Sequence, residues 1–254
     1  MSGMSMDGID IAMVHIAGSY PTLDIDLLET DYVPYSSNLR QRLLTARQGS
    51  AEHVCILNVA VAEAFASAVN QFLKTHHIAR ERIDAIGSHG QTLVHVPPTE
   101  HPGSTLQIGS PSVIAHHTGI TTIGNFRQRD MAANGHGAPL VPLADYLMFK
   151  AEPKPLALHN LGNISNVTVL GETRASLYAF DTGPANHWID TLAARIPENN
   201  TAIDFDGRYS SQGHVLTAVL ERWLDHSFFK QPPPKSAGYT SWGNMLDSPD
   251  FESY

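Results

Sequence analysis

One pattern of strands and helices occurs twice in this chain, and this repetition constrains the fold more than any other feature. Apolar and polar residues alternate over 9–13 and again over 23–27, which predicts two strands near the start. Strands then alternate with helices, and after a hinge-like stretch at 151–155 a second set of strands begins at 156. This order is typical of mixed sheets covered by helices. The sequence therefore predicts an α/β fold in two lobes.

Periodicity and capping residues set the predicted elements. A serine at 36 or 37 caps the first helix, and apolar residues recur along one face of the second. Ser110 and Pro111 suit the N-cap and first turn of a third helix that ends at Gly119. The predicted helices are 37–47, 51–76, 111–119, 139–149 and a segment around 188–192. The predicted strands, besides the first two, are 83–86, 105–108, 120–123, 156–158, 167–170 and 177–180.

Composition restricts the class of protein. The chain has 254 residues, 42% of them hydrophobic, and a formal charge of −9, which argues for a folded protein and against broad binding of nucleic acid or anionic membranes. Its one cysteine, Cys55, excludes an internal disulfide and suits a reducing compartment. We expect Cys55 to be a packing residue in a helix. With no secretory signal or long apolar span in the sequence, we expect a cytoplasmic protein.

An acidic residue follows the apolar run at 177–180. Asp181 precedes Thr182, Gly183 and Pro184, and an amphipathic segment comes next. This order predicts a strand, a tight turn and a helix, with Asp181 at the carboxyl end of the strand, where α/β sheets bind ligands. The same residues are also typical of a simple turn. From this segment alone, the functional and the structural interpretation stay equally open.

Glycine-rich loops lie at the start of each half. The first, at 3–8, offers backbone donors, a hydroxyl and the carboxylate of Asp7, which suit a phosphate and a metal-bound water. A hairpin turn is the alternative, since Asp-Gly favours hairpins. The loop is neither a Walker A nor a G-x-G-x-x-G sequence. A second loop, at 160–163, is rich in Asn and Gly in the same way.

Two further segments carry polar groups after strands. Residues 88–92 suit a polyhydroxylated ligand, with a polar turn as the alternative. Arg127 could bind a carboxylate or phosphate in a bidentate manner, or form a surface ion pair with Asp130. The loop at 134–139 could bring its backbone close to a ligand. The fourteen histidines lack the spacing of a metal site, so we predict no histidine-bound metal.

Taken in order, seven segments resemble the anhydro-N-acetylmuramic acid kinases, a family of the sugar kinase/Hsp70/actin superfamily. The segments are MSGMSMDGID, SHGQT, GNFRQRDMAANGHGAPLVP, NLGNISNVT, AFDTGPANHWID, DFDG and PPPKSAG. The resemblance implies a two-lobed ribonuclease-H-like fold of the actin/hexokinase type with mixed sheets. The first lobe would be 1–138, and 139–254 would hold a connecting helix and a partial second lobe.

The resemblance also implies a reaction and its residues. The reaction is ATP-dependent opening of the 1,6-anhydro ring of anhydro-N-acetylmuramic acid with phosphorylation of O6, which serves peptidoglycan recycling. Asp181 would be the catalytic base. The implied ATP-binding residues are Gly3, Met4, Ser5, Met6, Asp7, Gly8, Ile9, Asp10, Asn160, Gly162 and Asn163. The implied sugar-binding residues are His89, Gln91, Thr92, Arg127 and Asp130. We expect ATP, Mg²⁺ and an amino sugar as ligands, and a homodimer as the candidate assembly.

The chain departs from the family pattern in three places. Met4 stands where the family has threonine, the family's strand before the first loop is not included, and the match stops at Gly238, leaving 239–254 unmatched. These departures suggest a chain truncated at both ends, with an incomplete second lobe and ATP site. The alternatives are therefore an inactive remnant that still binds the amino sugar and, on residue chemistry alone, a metal-dependent hydrolase.

Overall fold

The computed structural model describes residues 2, 6–96, 103–149, 152–197, 199, 203–233 and 235–237. It is a mixed α/β structure with several small sheets. The chain divides into two compact units, Met1–Leu140 and Val141–Tyr254, which are called unit 1 and unit 2 below. Within the described residues, each unit contains its own strands and helices.

Among its described residues, unit 1 contains three pairs of strands. The two strands predicted near the start are confirmed as β1 (Gly8–Ala17) and β2 (Asp24–Pro34), and they pair as an antiparallel hairpin. The parallel pair consists of β3 (Ile86–Gly87) and β6 (Thr122–Ile123). Between them in sequence lies a second antiparallel hairpin of β4 (Gln91–Val96) and β5 (Ser104–Ile108). Strand β4 is an element that sequence reasoning missed.

Three of the four described helices of unit 1 begin where the sequence predicted them. The four helices are α1 (Ser37–Thr45), α2 (Ala51–Thr75), α3 (Pro111–Thr118) and α4 (Phe126–Ala132). The Ser36 and Ser50 hydroxyls each accept a backbone N–H of the first turn, which stabilises the starts of α1 and α2. Gly119 ends α3 in the left-handed conformation expected of a C-terminal glycine. Helix α4 falls in a segment for which no helix was predicted.

The core of unit 1 forms around one face of α2. Leu57, Val61 and Phe65 are buried on this face, and α2 packs against α3, β5 and β1. Among the described helices, only α2 has the length and apolar composition that could cross a membrane. A helix at the centre of a folded core passes the same test, and eight residues of α2 are buried inside the protein. The buried face of α2 therefore accounts for part of its apolar composition.

The expectation for Cys55 is wrong. The residue does lie in a helix, α2, but its side chain is exposed. Cys55 is two residues from Leu57 on a helix whose core-facing positions recur every three or four residues, so it falls outside the buried stripe. The apolar residues on either side of it in sequence were a misleading guide.

Unit 2 is built on a three-stranded antiparallel sheet. Its strands, β7 (Leu156–Leu161), β8 (Ile164–Leu170) and β9 (Tyr178–Pro184), pair in that order. The helices are α5 (Val141–Met148), α6 (Asn186–Ala193), α7 (Thr217–Leu224) and α8 (Ser227–Lys230). The three strands and the helices α5 and α6 were predicted from the sequence. The predicted tight turn at 182–184 is wrong, because these residues continue β9.

Leu57→Ala should lower the free energy of unfolding by about 2–5 kcal/mol, because the side chain is 0% exposed and its loss leaves a cavity. The neighbouring Ile56 is 53% exposed on the same helix, so Ile56→Ala should cost about 0.5 kcal/mol or less. Urea unfolding followed by circular dichroism measures both. Equal losses in the two variants would contradict the packing described for α2.

Candidate functional site

A cavity of about 520 Å³ opens in unit 1 beside the residues that follow the parallel strands. Ser88 and His89 come directly after β3, and Asn125 and Gln128 come shortly after β6. All four line the cavity, with the start of α2 and the loop before α3 forming its other walls. Ligands of open α/β sheets bind outside the carboxyl ends of strands, and the volume is in the range of ligand pockets, about 300–1,000 Å³. This cavity is the candidate ligand site of unit 1.

Two residues that line the cavity have buried polar atoms without a partner. The Ser88 side chain is 6% exposed and its Oγ makes no hydrogen bond. The Oε1 atom of Gln107 is also unpaired, while its Nε2 donates to Thr92 and Thr105. An unpaired buried polar atom costs about 1–3 kcal/mol, and a bound ligand is one explanation for such a group. The cavity is therefore suited to a ligand that forms hydrogen bonds.

His89 and Arg127 form a side-chain pair next to this cavity. The Arg127 Nε–H donates to Nε2 of His89 at 2.9 Å, and Nδ1 of His89 lies 2.9 Å from the carbonyl oxygen of Gly90. These two contacts require a neutral ring with its proton on Nδ1. Burial lowers the pKa of His89, the nearby Arg127 charge lowers it further, and the bond to Gly90 opposes the shift. His89 is thus a neutral acceptor that orients the guanidinium.

Arg127 makes no ion pair with Asp130, so the alternative reading of this segment is wrong. Its Nη1 donates to the carbonyl oxygen of Gly137 at 3.0 Å. Within the described part of the chain, no carboxylate pairs with Arg127, and its remaining N–H groups have no hydrogen-bond partner. Burial lowers the pKa of the guanidinium. A half-buried cation with free donors is suited to bind an anionic group.

Asp130 holds the loop that follows α4. Its Oδ2 accepts the backbone N–H of Gly137 at 2.8 Å. A Cβ atom at Gly135 would lie only 2.1 Å from the same oxygen, so any other residue at 135 would have to displace the Asp130 carboxylate. Asp130 therefore fixes the loop whose carbonyl group binds Arg127.

Gln91 and Thr92 lie in strand β4, not in the polar turn that was the alternative for this segment, and both are buried. Oε1 of Gln91 accepts the Ser2 hydroxyl at 2.6 Å and the Tyr35 hydroxyl at 3.3 Å. Burial raises the pKa of Tyr35 to about 12. Because Gln91 is fully enclosed, the described structure gives it a role in attaching the N-terminal segment to β4.

Of the residues expected in the first loop, Gly3, Met4 and Ser5 lie outside the described residues. Gly8, Ile9 and Asp10 belong to β1, and the side chains of Met6 and Ile9 are buried in the core. Asp7 and Asp10 are exposed. Gly8 packs against the ring of Tyr32, where a Cβ atom would lie 2.6 Å from the ring. Asp7 and Asp10 thus carry the exposed side chains in the described part of this loop.

The second expected loop forms the turn between β7 and β8. Asn160 is in β7, while Gly162 and Asn163 are in the turn. The carbonyl oxygens of Gly162 and Asn163 accept the backbone N–H groups of Asn186 and Ala185 at 3.0 and 3.1 Å. The turn thereby satisfies donors at the start of α6. Its carbonyl groups are engaged there, and the exposed Asn160 side chain is the group most open to a ligand.

The sequence predicted Asp181 at the carboxyl end of a strand, but the residue lies in the middle of β9. Its backbone N–H donates to the carbonyl oxygen of Lys235 at 2.9 Å, and its Oδ2 accepts the N–H of Ala237 at 2.7 Å. No described residue donates to Oδ1. Burial raises the pKa of Asp181, and the bond from Ala237 partly opposes this shift. Asp181 is therefore a half-buried carboxyl with one oxygen fixed and the other available as a base.

Lys235 and Ala237 are contacts of Asp181 that sequence reasoning missed. The segment PPPKSAG was singled out only as a motif. Nothing in its spacing indicates that Ala237 contacts Asp181, which lies 56 residues earlier in the sequence. Lys235 is itself held by Phe228, because Nζ donates to the Phe228 carbonyl oxygen at 3.0 Å and lies 4.5 Å from the centre of its ring.

The described residues contain no cluster of three or more His, Cys, Asp or Glu side chains arranged to hold a metal. Mg²⁺ that binds together with nucleotide phosphates needs only one or two protein carboxylates. The exposed Asp7 and Asp10 offer such ligands. Their negative charges, after burial, contribute to the raised pKa of Tyr32, which indicates an acidic environment at the start of β1.

Comparison with known proteins identifies related sequences. A family model described as anhydro-N-acetylmuramic acid kinase matches residues 1–244. The anhydro-N-acetylmuramic acid kinase of Caldanaerobacter subterraneus subsp. tengcongensis is 41% identical over 259 residues, which cover 98% of this chain and 65% of the relative. A protein of the same description from Bacillus cereus (strain ATCC 10987 / NRS 248) is 40% identical over 261 residues, 100% of this chain and 68% of the relative. The chain thus spans about two thirds of the length of these relatives.

Protonation of His89 should destabilise the protein. The unfolded chain takes up this proton near pH 6.5, whereas the folded chain, whose His89 pKa is lower, does not. Because the unfolded state binds more protons in this window, stability rises with pH and falls as the pH is lowered below about 6.5. Urea unfolding at several pH values should show a weaker pH dependence in His89→Gln than in the unmodified chain.

The exposed His214 provides the matched control, since His214→Gln should keep the original pH dependence. Nitrogen-15 spectra would show directly whether the proton of His89 is on Nδ1. A pH dependence that is identical with and without His89 would contradict the pairing with Arg127.

Proposed function

We propose that this chain, which belongs to the anhydro-N-acetylmuramic acid kinase family, takes part in ATP-dependent phosphorylation of anhydro-N-acetylmuramic acid. The reaction opens the 1,6-anhydro ring and gives N-acetylmuramic acid 6-phosphate, a step of cytoplasmic peptidoglycan recycling. The single observation that carries the proposal is the family match over residues 1–244. The half-buried Asp181 with one free oxygen supports it, because ring opening needs a base.

The proposal includes the finer architecture that the family implies. We infer a ribonuclease-H-like fold of the actin/hexokinase type, with 1–138 as the first lobe and 139–254 as the connecting helix and second lobe. The mixed α/β character and the presence of strands and helices in each unit support this inference.

Asp181 is the general base of the proposed reaction. Its free Oδ1 takes a proton from the water that attacks the anomeric carbon of the sugar. The bond between that carbon and O6 breaks, and O6 takes the γ-phosphoryl group of ATP, with ADP as the leaving group. A raised pKa makes the carboxylate a stronger base than an ordinary aspartate, which supports this assignment.

Unit 1 supplies the groups proposed to bind the sugar. The muramic acid part of the substrate carries a lactyl carboxylate, and Arg127 offers free donors without a described carboxylate partner. His89 and Asp130 position Arg127, directly and through the loop at 134–138 respectively. Polar groups of the sugar would pair with the buried Ser88 hydroxyl. Gln91 and Thr92, which were expected to touch the sugar, act in this proposal as buried supports of β4.

The nucleotide and the assembly are the remaining parts of the proposal. The first loop and residues 160–163 would hold the ATP phosphates, and Asp7 or Asp10 would be the protein ligands of Mg²⁺. In phosphoryl transfer the cation neutralises developing charge. A homodimer is the proposed assembly. Titration calorimetry with ATP and with the sugar separately distinguishes a complete kinase from a chain that binds only the amino sugar.

Asp181→Asn should abolish most of the turnover, by about 10²–10⁴-fold, because the amide cannot accept the proton of water. Sugar binding should change little, since the side chain keeps its shape. A coupled assay for ADP with anhydro-N-acetylmuramic acid measures turnover, and calorimetry measures binding. In the unmodified protein, activity should be lost in acid at a pH above the usual aspartate value of about 3.9, because the pKa of Asp181 is raised.

Glu172→Gln is the matched control, because this exposed carboxylate lies in the same unit and has no described contact with Asp181. It should retain full activity. Near-normal turnover of Asp181→Asn would remove the assignment of the base.

Arg127→Gln should weaken binding of the sugar acid by about 10-fold to 100-fold, the range for a charged hydrogen bond. Binding of 1,6-anhydro-N-acetylglucosamine, which lacks the lactyl carboxylate, should change much less. Arg129→Gln, on the exposed face of the same helix α4, is the control and should affect neither ligand. Calorimetric titrations of the three proteins with both sugars test this, and equal losses for both sugars would refute carboxylate recognition by Arg127.

A further inference from the structure

Three polar side chains meet on adjacent strands of the sheet in unit 2. They are His159 in β7, Ser165 in β8 and Thr182 in β9. The Ser165 Oγ lies 2.6 Å from Nε2 of His159 and 2.6 Å from Oγ1 of Thr182, and the third side of this triangle is 3.4 Å. The Ser165 side chain is 5% exposed, so its hydroxyl is enclosed between the other two groups.

Thr182 occupies an irregular position in β9. Ser165 pairs with Gly183, and the next residue of β8, Asn166, pairs with Asp181. One residue of β9, Thr182, is therefore extra relative to β8, which is the arrangement of a β-bulge. Bulges redirect side chains, and a shift of pairing by one residue turns every side chain of a strand to the opposite face. The direction of Asp181 thus depends on the bulge staying at Thr182.

We propose that His159 and Ser165 are positioning residues that hold Thr182 in the bulge and thereby fix the direction of the Asp181 carboxylate. This inference rests on the proposed role of Asp181 as the base. The hydroxyl of Ser165 is the only described side-chain group that joins β8 to Thr182, and His159 is its second partner. From the other side, the backbone of Lys235 and Ala237 fixes Asp181 through two further hydrogen bonds.

A short contact between serine and histidine also occurs in enzymes with a serine nucleophile. Here the serine is enclosed, and its hydroxyl oxygen is already bound to Thr182 as well as His159. A substrate could not reach this atom without displacing the neighbouring strands. The geometry fits a structural connection between three strands better than an attacking group.

His159→Leu and Ser165→Ala should each lower kcat about 10-fold to 100-fold and leave the KM for the sugar within about twofold. A displacement of the base of about 1 Å is sufficient for such a loss. His159→Gln, whose amide nitrogen can take the place of Nε2, should recover most of the activity. His214→Leu changes an exposed histidine of the same unit and should behave like the unmodified protein.

A second readout does not require activity. Carbon-13 spectra of the Asp181 carboxyl give its pKa, which is raised by burial in the intact structure. In His159→Leu and Ser165→Ala this pKa should move toward the ordinary value as the carboxylate gains solvent, while the urea midpoint stays close to that of His214→Leu.

The two readouts separate the two proposals. If the unmodified chain does not phosphorylate the sugar but the variants shift the pKa of Asp181, the proposed function fails and the positioning stands. If both kcat and the pKa of Asp181 are unchanged in His159→Leu and Ser165→Ala, the positioning inference is overturned. The same holds if His159→Gln is as impaired as His159→Leu.

Discussion

Burial of one face of α2 is the constraint on which the arrangement of unit 1 depends. Removing a large aliphatic side chain from water stabilises a fold by about 1.5–3 kcal/mol, and several such residues lie along this helix. Because α2 packs against β1, β5 and α3, its position also determines where the loops after β3 and β5 end. The cavity beside Ser88 and His89 lies between these loops and the start of the same helix. The candidate site is thus a product of the core packing.

The electrostatics of the site follow from the pairing of Arg127 with a neutral side chain, His89. A carboxylate in the position of His89 would neutralise the guanidinium and use its donors in the free protein. A neutral imidazole orients the group and leaves its charge uncompensated. The raised pKa of Asp181 has a related physical origin, since burial without a cation disfavours the charged form. An incoming anionic ligand can therefore compensate the charge of Arg127. A water molecule can give its proton to Asp181.

Local rules were sufficient for much of the fold. Serine caps, apolar periodicity and alternation predicted α1, α2, α3 and the first two strands, because these elements are specified by neighbouring residues. These rules failed where residues far away in the sequence determine whether a residue is buried or belongs to a strand. Gln91 is polar and was expected to contact a ligand or to lie in a turn, yet it is buried because Ser2 and Tyr35 satisfy its side chain. Residues 182–184 have turn composition but continue β9, since a bulge at Thr182 and pairing with β8 accommodate them.

The same division applies to the candidate site. The segments that carry Asp181, His89 and Arg127 could be found from sequence, whereas their partners could not. Gly137 and Ala237 contribute only backbone groups. Because nearly every residue has the same backbone donor and acceptor, the residue type does not reveal such a contact. Cys55 shows the converse, since its apolar neighbours suggested burial and only the helical phase of α2 decides its exposure.

The close approach of Gly135 to Asp130 makes the residues that these two positions can accept depend on each other. A side chain at 135 would occupy the space of the Asp130 carboxylate and would have to displace it. Once Asp130 is lost, the loop no longer has its anchor at Gly137, and a glycine at 135 is no longer required. A side chain at 135 and the loss of the Asp130 carboxylate should therefore have the same consequence, which is release of the loop from its anchor at Gly137.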